Sequence, residues 1–437
     1  MVPEGWIRTR IGDTNVVTSG GTPSRNVEAY WGGCIPWVTT GAIDFNIITQ
    51  ADEYITDDGL ANSSAKLFPR RTLLVGLYGD GVTRGKVAML GIEAATNQAC
   101  AAILPSDSVL QEYLFYYIAF HYEQLRRLSS DGNQKNLSGG LIRSFPLLSP
   151  SLPEQEEIVS VFVTMDRLIT LSERLISAKQ KRKQALMQQL LTGEIRLQAF
   201  TNRRTKKPSH VVRVPAALRR GIYPPSVQPG IPKLIEKPDG WDEKTMAELL
   251  KTKKRRVQLD DDTEYDLVVA KRNRGGIEPR GKLRGEEIRT SSQFKVKAGD
   301  FVISRRQIIH GACGIVPASL DGAIVSNEYS VFTVNKHLDP GYLRLLSHSL
   351  YFQQTCFHSS VGVAVEKMIF KVEQWLKYPF LLPPVEEQRA ITKTLETAEA
   401  EIALLKQRVK KLKQQKKGLM QQMLTGKTRV KLPKGAA

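Results

Sequence analysis

The sequence predicts an α+β or α/β fold with two globular domains, a long antiparallel two-helix coiled coil and a pseudo-twofold internal repeat. Three repeated features support this fold class. Residues 186–193 (LMQQLLTG) recur with one change as residues 419–426 (LMQQMLTG). Glu154-Gln155 recurs as Glu387-Gln388 at the same offset of 233 residues. A Gly-Trp pair opens each half, at Gly5-Trp6 and Gly240-Trp241. The duplication therefore includes both domains and both helices.

Apolar residues in both helical segments alternate between steps of four and three, the pattern of a coiled-coil seam. The first helix is expected to bury Ile158, Phe162, Met165, Ile169, Ile176, Leu186 and Leu190. The second is expected to bury Ile391, Leu395, Ala398, Ile402, Leu405, Val409, Leu412, Leu419 and Met423. The first seam is more polar in its second half. A helix of about 40 residues is roughly 60 Å long. A structural spacer is the simplest function for such a pair alone.

Both helices have the same predicted boundaries. Pro153 and Pro384 stand where a first helical turn tolerates proline. Gly193 and Gly426 stand where a left-handed residue ends a helix. The expected segments are residues 1–150 and 238–383 for the domains, 151–197 and 384–430 for the helices, and 198–237 for a basic, proline-rich linker.

Short apolar runs predict strands inside both domains. We expect strands at residues 73–78, 87–90, 101–104, 267–270, 301–304 and 329–334, and helices at 112–128 and 342–352. Glycine-rich and polar segments predict loops at residues 20–24, 31–33, 79–85 and 129–140.

The net charge of +19 and the pI near 9.7 favour an anionic partner. Nucleic acid is the first candidate and a membrane surface the second, while solubility alone is the alternative. The four cysteines form no C-x-x-C pair, which fits a reducing cytoplasm. We expect no signal peptide at the N-terminus and no membrane-spanning segment.

The sequence offers no convincing catalytic constellation. It has no Asn/Asp-Pro-Pro-Tyr/Phe motif of an adenine methyltransferase. Residues 79–87 resemble a phosphate-binding loop, but the glycine spacing differs and Val87 replaces the required Ser or Thr. Asp239 with Glu243 and Lys244 resembles a nuclease signature, but the acids are too close in sequence and coincide with the repeated Gly-Trp entry. We therefore predict a recognition protein without a metal site.

Taken together, these motifs closely resemble the specificity subunits of type I restriction-modification systems. The resemblance rests on the repeated helix endings and openings and on the Gly-Trp entries. Three segments of the first domain add to it: residues 20–25 (GGTPSR), 35–38 (IPWV) and 96–99 (TNQA). The second domain has no clear counterpart of the Gly-Thr-Pro-Ser segment.

The resemblance implies that each domain is a target recognition domain reading one half of a split site in double-stranded DNA. The helices would set the spacing and dock two modification subunits, which bind S-adenosylmethionine and methylate adenine. Restriction subunits, which translocate DNA and use ATP and Mg²⁺, would then join. This chain would itself be non-catalytic and would hold no cofactor.

Candidate DNA-binding residues are polar side chains in predicted loops, and Arg, Asn and Gln suit base edges best. In the first domain they are Thr22, Ser24, Arg25, Tyr78, Arg84, Lys86, Asn133, Gln134 and Lys135. In the second domain they are Lys271, Arg272, Arg274, Arg280, Lys282, Arg305, Arg306 and Gln307.

Three alternatives remain open at this stage. The first is a sequence-tolerant, DNA-bridging architectural protein, which the two diverged domains disfavour. The second is a nuclease, which the lack of clustered carboxylates disfavours. The third is a specificity subunit for another class of methyltransferase, which copurifying subunits would distinguish.

Overall fold

The computed structural model describes residues 2–79, 83–128, 136–201 and 226–432. The chain divides into two compact units. The first unit contains Met1–Leu175 and Leu405–Ala437, and the second contains Ile176–Leu404. Each long helix therefore contributes one part to each unit.

The first unit begins with an α/β domain. Its strands are β1 (Ile7–Arg10), β2 (Val17–Ser19), β3 (Trp31–Val38), β4 (Ile47–Ile48), β5 (Glu53–Ile55), β6 (Leu67–Phe68), β7 (Leu73–Gly76), β8 (Val87–Leu90), β9 (Ala94–Thr96), β10 (Cys100–Ile103) and β11 (Pro146–Ser149). Its helices are α1 (Ile11–Thr14), α2 (Asp57–Ala61), α3 (Gln111–Phe120), α4 (Tyr122–Arg127), α5 (Gly139–Ser144) and the first part of α6 (Leu152–Leu191).

These strands form a five-stranded sheet in the order β2-β10-β7-β8-β4, a four-stranded sheet in the order β5-β3-β9-β6, and the pair β1-β11. Every residue of β7 and β8 is buried. Leu73 and Val75 enter a core with helix α3, while Leu74 points into a second core with Phe68. Because both faces are covered, the strands are continuously apolar instead of alternating.

The second unit contains a domain built from a different sequence. Its strands are β12 (Asp242–Thr245), β13 (Leu250–Lys253), β14 (Arg256–Val257), β15 (Glu264–Ala270), β16 (Ile277–Arg284), β17 (Gln293–Lys295), β18 (Phe301–Ser304), β19 (Cys313–Ile315), β20 (Ile324–Ser326), β21 (Tyr329–Val334), β22 (Ser360–Val361), β23 (Ile369–Phe370) and β24 (Pro379–Leu382). Its helices are α7 (Met246–Leu249), α8 (Pro340–Leu346), α9 (Leu350–His358), α10 (Val372–Trp375) and the first part of α11 (Val385–Met423).

The two domains have the same strand order. The sheet β13-β21-β18-β19 matches β2-β10-β7-β8, and β16-β15-β20-β17 matches β5-β3-β9-β6. The central pairs β3-β9 and β15-β20 are both parallel. Strands β4 and β14 extend one sheet each at non-equivalent positions. The repeat therefore extends through both domains, including the stretches in which the sequences have diverged.

The long helices pack antiparallel within each unit. In the first unit, Lys416 Nζ lies 2.6 Å from Asp166 Oδ1, and Lys413 Nζ lies 2.8 Å from Glu173 Oε1. In the second, Lys183 Nζ lies 2.9 Å from Glu399 Oε1. All the expected seam positions are buried or half-buried. The polar half of the first seam is accommodated because its lysines pair with glutamates of α11.

The repeated Glu-Gln pair anchors each helix start to its domain. Gln155 accepts a hydrogen bond from Leu110 N and donates to Pro150 O. Gln388 accepts one from Asp339 N and donates to Pro383 O. Both glutamine residues are fully buried. Their side chains supply partners to backbone groups that would otherwise be buried without any.

The repeated glutamates bind arginines that follow the opposite helix end. Arg429 donates to both carboxylate oxygens of Glu154, at 2.5 and 2.7 Å. Arg196 donates to both oxygens of Glu387, at 2.9 and 2.5 Å. Each arginine also donates to a carbonyl of a Gly-Trp entry, that of Glu4 or Asp239. Helix start, helix end and domain entry therefore meet at one point in each unit.

The predicted glycine caps are confirmed, with Gly193 at φ +68° and Gly426 at φ +67°. Four local predictions were wrong. The helix expected over 112–128 is divided at His121 into α3 and α4. Residues 31–33 begin strand β3, where a register irregularity with β5 accommodates the glycines. Gly139 and Gly140 lie in helix α5 instead of a loop, because Ser138 caps its first turn. The helix expected over 342–352 is interrupted between α8 and α9, where Ser349 starts a new helix by capping Phe352 N.

No helix in the described ranges has an apolar stretch long enough to cross a membrane. Of the expected linker, residues 198–201 and 226–237 are described. Gln198–Phe200 forms a short 3-10 helix, and residues 226–237 form neither helix nor strand.

Candidate nucleic-acid interface

Three connections meet at one corner of the first domain. They are the segment after β2, the β9–β10 connection and the start of the β7–β8 connection. Gly21 N donates to Thr96 O at 2.8 Å, and Leu77 N donates to Ala99 O at 2.8 Å. The hydroxyl of Thr22 donates to Gln98 Oε1 at 2.6 Å. Two sequence candidates, Thr22 and the exposed Tyr78, therefore lie beside this corner.

Arg25 is held by an aromatic residue and a carboxylate. Its guanidinium carbon lies 3.7 Å from the ring centroid of Trp31, within cation–π range. Its two terminal nitrogens donate to Glu53 at 2.8 and 2.7 Å. The hydrogen bond to Glu53 raises the pKa of Arg25, and the same bond lowers the pKa of Glu53. Arg25 is half-exposed, and Trp31 and Glu53 hold its side chain in place. Both of its terminal nitrogens already donate to the Glu53 carboxylate.

Ser24 is exposed at the same segment, and its carbonyl accepts a hydrogen bond from Trp31 Nε1 at 3.1 Å. Lys86 is largely covered, with its Nζ 2.6 Å from Asp44 Oδ1. Arg84 is 6% exposed, so its guanidinium does not lie on an open surface, and the prediction that it contacts DNA does not fit. The candidates Asn133, Gln134 and Lys135 lie outside the described residues.

The second domain brings four of its candidates together at the equivalent corner. Arg272 Nε donates to Gln307 Oε1 at 2.9 Å, and an Arg272 terminal nitrogen lies 3.4 Å from Glu366. Arg305 donates to Asn327 O at 2.8 Å. Arg306 Nε lies 2.6 Å from Glu328 Oε2. We call Arg272, Arg305, Arg306 and Gln307 the arginine corner.

Arg274 is placed differently from the four residues of the arginine corner. Its Nε donates to the backbone carbonyl of Ser347 at 3.0 Å, and burial lowers its pKa. It follows Asn273 in a left-handed backbone pair, with φ of +57° and +59°. This half-buried side chain is bonded to the domain and is therefore less available to DNA than the exposed candidates. A contact between Arg274 and DNA stays a prediction.

The remaining candidates follow the β15–β16 hairpin away from this corner. Lys271 Nζ lies 3.1 Å from Glu278, at the end of the hairpin. Lys282 Nζ lies 3.5 Å from Glu264 and 3.6 Å from Asp266. Arg280 is exposed on the edge strand β16. These three side chains lie along the exposed hairpin, and nearby carboxylates partly neutralise their positive charge.

The two corners are topologically equivalent. The β7–β8 connection carries Tyr78, and the matching β18–β19 connection carries Arg305, Arg306 and Gln307. Residues 96–98 (Thr-Asn-Gln) and 326–328 (Ser-Asn-Glu) occupy matching connections, at an offset of 230 residues. Their side chains or carbonyls contact the sequence candidates in both domains.

Sequence reasoning missed the acceptors of both corners. They are Glu53, Gln98, Asn327, Glu328 and Glu366. The similarity of the two short polar segments, residues 96–98 and 326–328, was a signal that could have identified three of them. Glu53 and Glu366 had no such signal, since they approach from distant parts of the chain.

Ser226, His310 and Glu366 form a chain of contacts beside the arginine corner. Ser226 Oγ lies 3.1 Å from His310 Nδ1, and His310 Nε2 lies 3.3 Å from Glu366 Oε1. The residue types match a hydrolase triad, but His310 is 1% exposed and burial lowers its pKa. We interpret the contacts as an anchor for the segment entering the second domain.

Within the four described ranges, no group of three or more His, Cys, Asp or Glu side chains is placed to hold a metal ion. The loop resembling a phosphate-binding segment is only partly described, since residues 80–82 lie outside the described ranges. The chemistry that the described corners offer is hydrogen bonding and charge, from arginine, glutamine and hydroxyl groups.

Comparison with known proteins gives consistent matches. The specificity subunit of the type I restriction enzyme MjaIX from Methanocaldococcus jannaschii is 28% identical over 57% of this chain and 52% of its own length. The EcoR124I/EcoR124II specificity subunit of Escherichia coli is 25% identical over 36% of this chain and 40% of its own length. This chain thus spans about half or less of these two relatives. The MjaVIII specificity subunit is 22% identical over 98% of this chain and 94% of its own length.

Solved structures show the same fold. A chain from a structure on complex assembly and conformational transition of the type I R-M system has a TM-score of 0.59 at 16% identity, covering 98% of this chain and all of that one. The HsdS subunit from Thermoanaerobacter tengcongensis has a TM-score of 0.52 at 17% identity, covering 98% of both chains.

The family described as the type I restriction modification DNA specificity domain matches this chain twice, at residues 3–179 and 238–414. The two matches start near the two Gly-Trp entries and each includes most of a long helix. The chain therefore belongs to the family of type I restriction modification DNA specificity domains and carries two copies of that domain.

Proposed function

We propose that this chain is the sequence-recognising, non-catalytic subunit of a type I restriction-modification complex, and that its ligand is double-stranded DNA. One observation carries the proposal. Both domains have the same strand order, yet the equivalent corners present Thr22, Arg25 and Tyr78 in one case and the arginine corner in the other. A common frame with different polar side chains is what two readers of different base sequences need.

Each domain would read one half of a bipartite, gapped DNA site. The exposed arginines are paired with carboxylates in the free chain, which keeps their side chains ordered. Exposed ion pairs contribute little, on the order of 0–1 kcal/mol, so a DNA phosphate or guanine edge can replace the carboxylate. The corners would then be preformed sites. On binding, a DNA phosphate or base would replace the carboxylate that pairs with each arginine in the free chain.

The helices would set the distance between the half-sites and dock two modification subunits. Leu168, Leu171 and Leu175 are exposed on α6 at helical spacing, within a stripe of about 60°. An exposed apolar stripe on an otherwise charged helix suits the apolar face of a partner helix. In this proposal, S-adenosylmethionine binds the modification subunits, while ATP and Mg²⁺ serve the restriction subunits.

The experiment that tests this function is selection of bound fragments from a random duplex library, with the chain coexpressed beside its genomic neighbours. A split motif, with a few specified base pairs on each side of a fixed unspecified gap, is the expected result. Enrichment of one continuous motif would limit reading to one domain. Salt-dependent binding without any enriched motif would favour a sequence-tolerant bridging protein.

A domain exchange sharpens the test. Replacing residues 238–383 with the corresponding segment of another specificity subunit should change one half of the selected motif and leave the other half intact. A change in both halves would contradict independent reading by the two domains.

A further inference from the structure

Four lysines form a row along the C-terminal part of α11. Lys406, Lys410, Lys413 and Lys417 are separated by four, three and four residues, and all four are exposed. At 3.6 residues per turn they lie within a stripe about 60° wide and about 16 Å long. The row runs beside the coiled-coil seam. Val409, which lies between Lys406 and Lys410 in the chain, is buried in that seam on the side facing α6.

The row carries positive charge that the surrounding chain does not neutralise. From Ile402 to Ala437 the sequence contains eleven Lys and Arg residues and no Asp or Glu. In the described part of the chain, Lys413 pairs with Glu173 at 2.8 Å. No described carboxylate lies within ion-pair distance of Lys406, Lys410 or Lys417.

The repeat provides an internal comparison. The residues of α6 that match the row at the offset of 233 are Glu173, Ser177, Gln180 and Gln184. They occupy the same positions on a helix of nearly the same length with the same type of seam. Lysine and glutamine have similar helix propensities, so the lysines are not needed to form the helix. The row of positive charge at these four positions is therefore particular to α11.

We propose that this lysine row binds the phosphate backbone of duplex DNA without reading its sequence. Lysine acts as a flexible point charge, which suits phosphate contacts better than bidentate recognition of a base. Successive lysines are about one helical turn apart, so several phosphates along one strand are within their reach. The proposal rests on the proposed function only in taking DNA as the ligand, and it adds a contact outside both recognition domains.

The test uses the full chain, coexpressed with its genomic neighbours, carrying Lys406→Gln, Lys410→Gln and Lys417→Gln together. DNA affinity is measured against salt concentration on a random duplex and on the selected site. Each lost phosphate contact lowers the slope of log K against log salt by about 0.9, so we expect a decrease of up to about 2.7 on both duplexes. The ratio of specific to random affinity should not change.

Two control variants accompany the triple variant. Arg389→Gln with Lys393→Gln removes exposed charges from the acidic N-terminal part of α11 and should leave the slope unchanged. Lys406→Arg, Lys410→Arg and Lys417→Arg together keep the charge and should retain the slope. Circular dichroism checks that the helix content of each variant equals that of the parent chain.

An unchanged slope on the random duplex would overturn the proposal. Loss of a copurifying subunit with an unchanged slope would instead assign the row to an acidic protein surface. A change in the selected base sequence would contradict binding that is independent of sequence. Failure of the library selection would count against the proposed function alone, because the random duplex requires no recognition site.

Discussion

Arg196 and Glu387, 191 residues apart in the chain, form a two-point ion pair whose carboxylate is fully buried. The equivalent Arg429 and Glu154 form the same pair in the other unit, where Trp6 Nε1 also donates to Glu154 at 3.2 Å. Trp241, the counterpart of Trp6, has no hydrogen-bond partner for its Nε1 within the described residues. Glu387 therefore depends on Arg196 more than Glu154 depends on Arg429.

The first prediction follows from this difference. Arg196→Met should destabilise the second unit by about 3–5 kcal/mol, because it leaves a buried carboxylate without its counter-ion. Arg429→Met should cost less, since Glu154 keeps one donor and Arg429 is half-exposed. Urea unfolding monitored by hydrogen exchange in each unit measures both effects. Equal losses of stability in the two variants would contradict the greater dependence of Glu387 on its arginine. The double variant Arg196→Met with Glu387→Gln should recover part of the stability lost in Arg196→Met.

Gly418 inside α11 and Gly426 just after its end should respond to alanine in opposite directions. Gly426→Ala places a Cβ at φ +67° and 2.2 Å from Pro3 Cγ, so a loss exceeding about 1 kcal/mol is expected. Gly418 lies inside the helix with open space around it, and Gly418→Ala should stabilise by up to about 1 kcal/mol. Urea midpoints of the two variants give the signs directly. A neutral Gly426→Ala would mean that Pro3 can move away at no cost.

The arginine corner should affect one half-site only. Arg305→Gln with Arg306→Gln should weaken binding by roughly 10- to 100-fold, from about 1–3 kcal/mol of lost contacts. Methylation should fall at the half-site read by the second domain, while the first half of the selected motif stays unchanged. Lys377→Gln with Lys393→Gln, which removes two exposed charges elsewhere in the same unit, is the matched control. An equal loss in the control would show that total charge alone is responsible.

Arg25 offers a test in which binding should increase. Glu53→Gln removes the negative acceptor of Arg25 while Trp31 still positions the guanidinium. DNA affinity should rise a few-fold at low salt, because DNA no longer has to displace the Glu53 carboxylate from Arg25. Arg25→Gln should weaken binding, and the double variant should match Arg25→Gln. Additive effects of the two changes would contradict this exchange of partners.

Acid should weaken the second unit through His348. Burial, followed by repulsion from Arg274 and Arg344, lowers the pKa of His348 from 6.5 to about 4. The unfolded chain therefore binds the proton more readily, and stability should fall as pH decreases from about 6.5 towards 4. The expected loss between pH 7 and pH 5 is on the order of 1–2 kcal/mol, measured by urea unfolding. His348→Gln should remove this share of the pH dependence, and an unchanged profile would contradict the assignment.

The long helices, their seam, their caps and the duplication were readable in the sequence because each depends on local spacing. A seam needs apolar side chains every three or four residues, and a left-handed cap needs a glycine such as Gly193. The strand runs at residues 73–78 and 301–304 were also readable, because both faces of these strands are buried. The common strand order of the two domains was not, since pairing between distant strands leaves no local pattern.

The side chains of the candidate interface were only partly readable for the same reason. Composition indicated arginines in glycine-rich loops, but whether each one faces solvent depends on the packing around it. Arg274 and Arg306 look alike in sequence, yet one is bonded to a carbonyl inside the domain and the other pairs with Glu328 at the surface. Glu53 and Glu366 reach Arg25 and Arg272 only because tertiary packing brings distant parts of the chain together. The sequence alone determined the repeat, the helices and the positive charge, whereas the tertiary structure decided which of those charges are exposed.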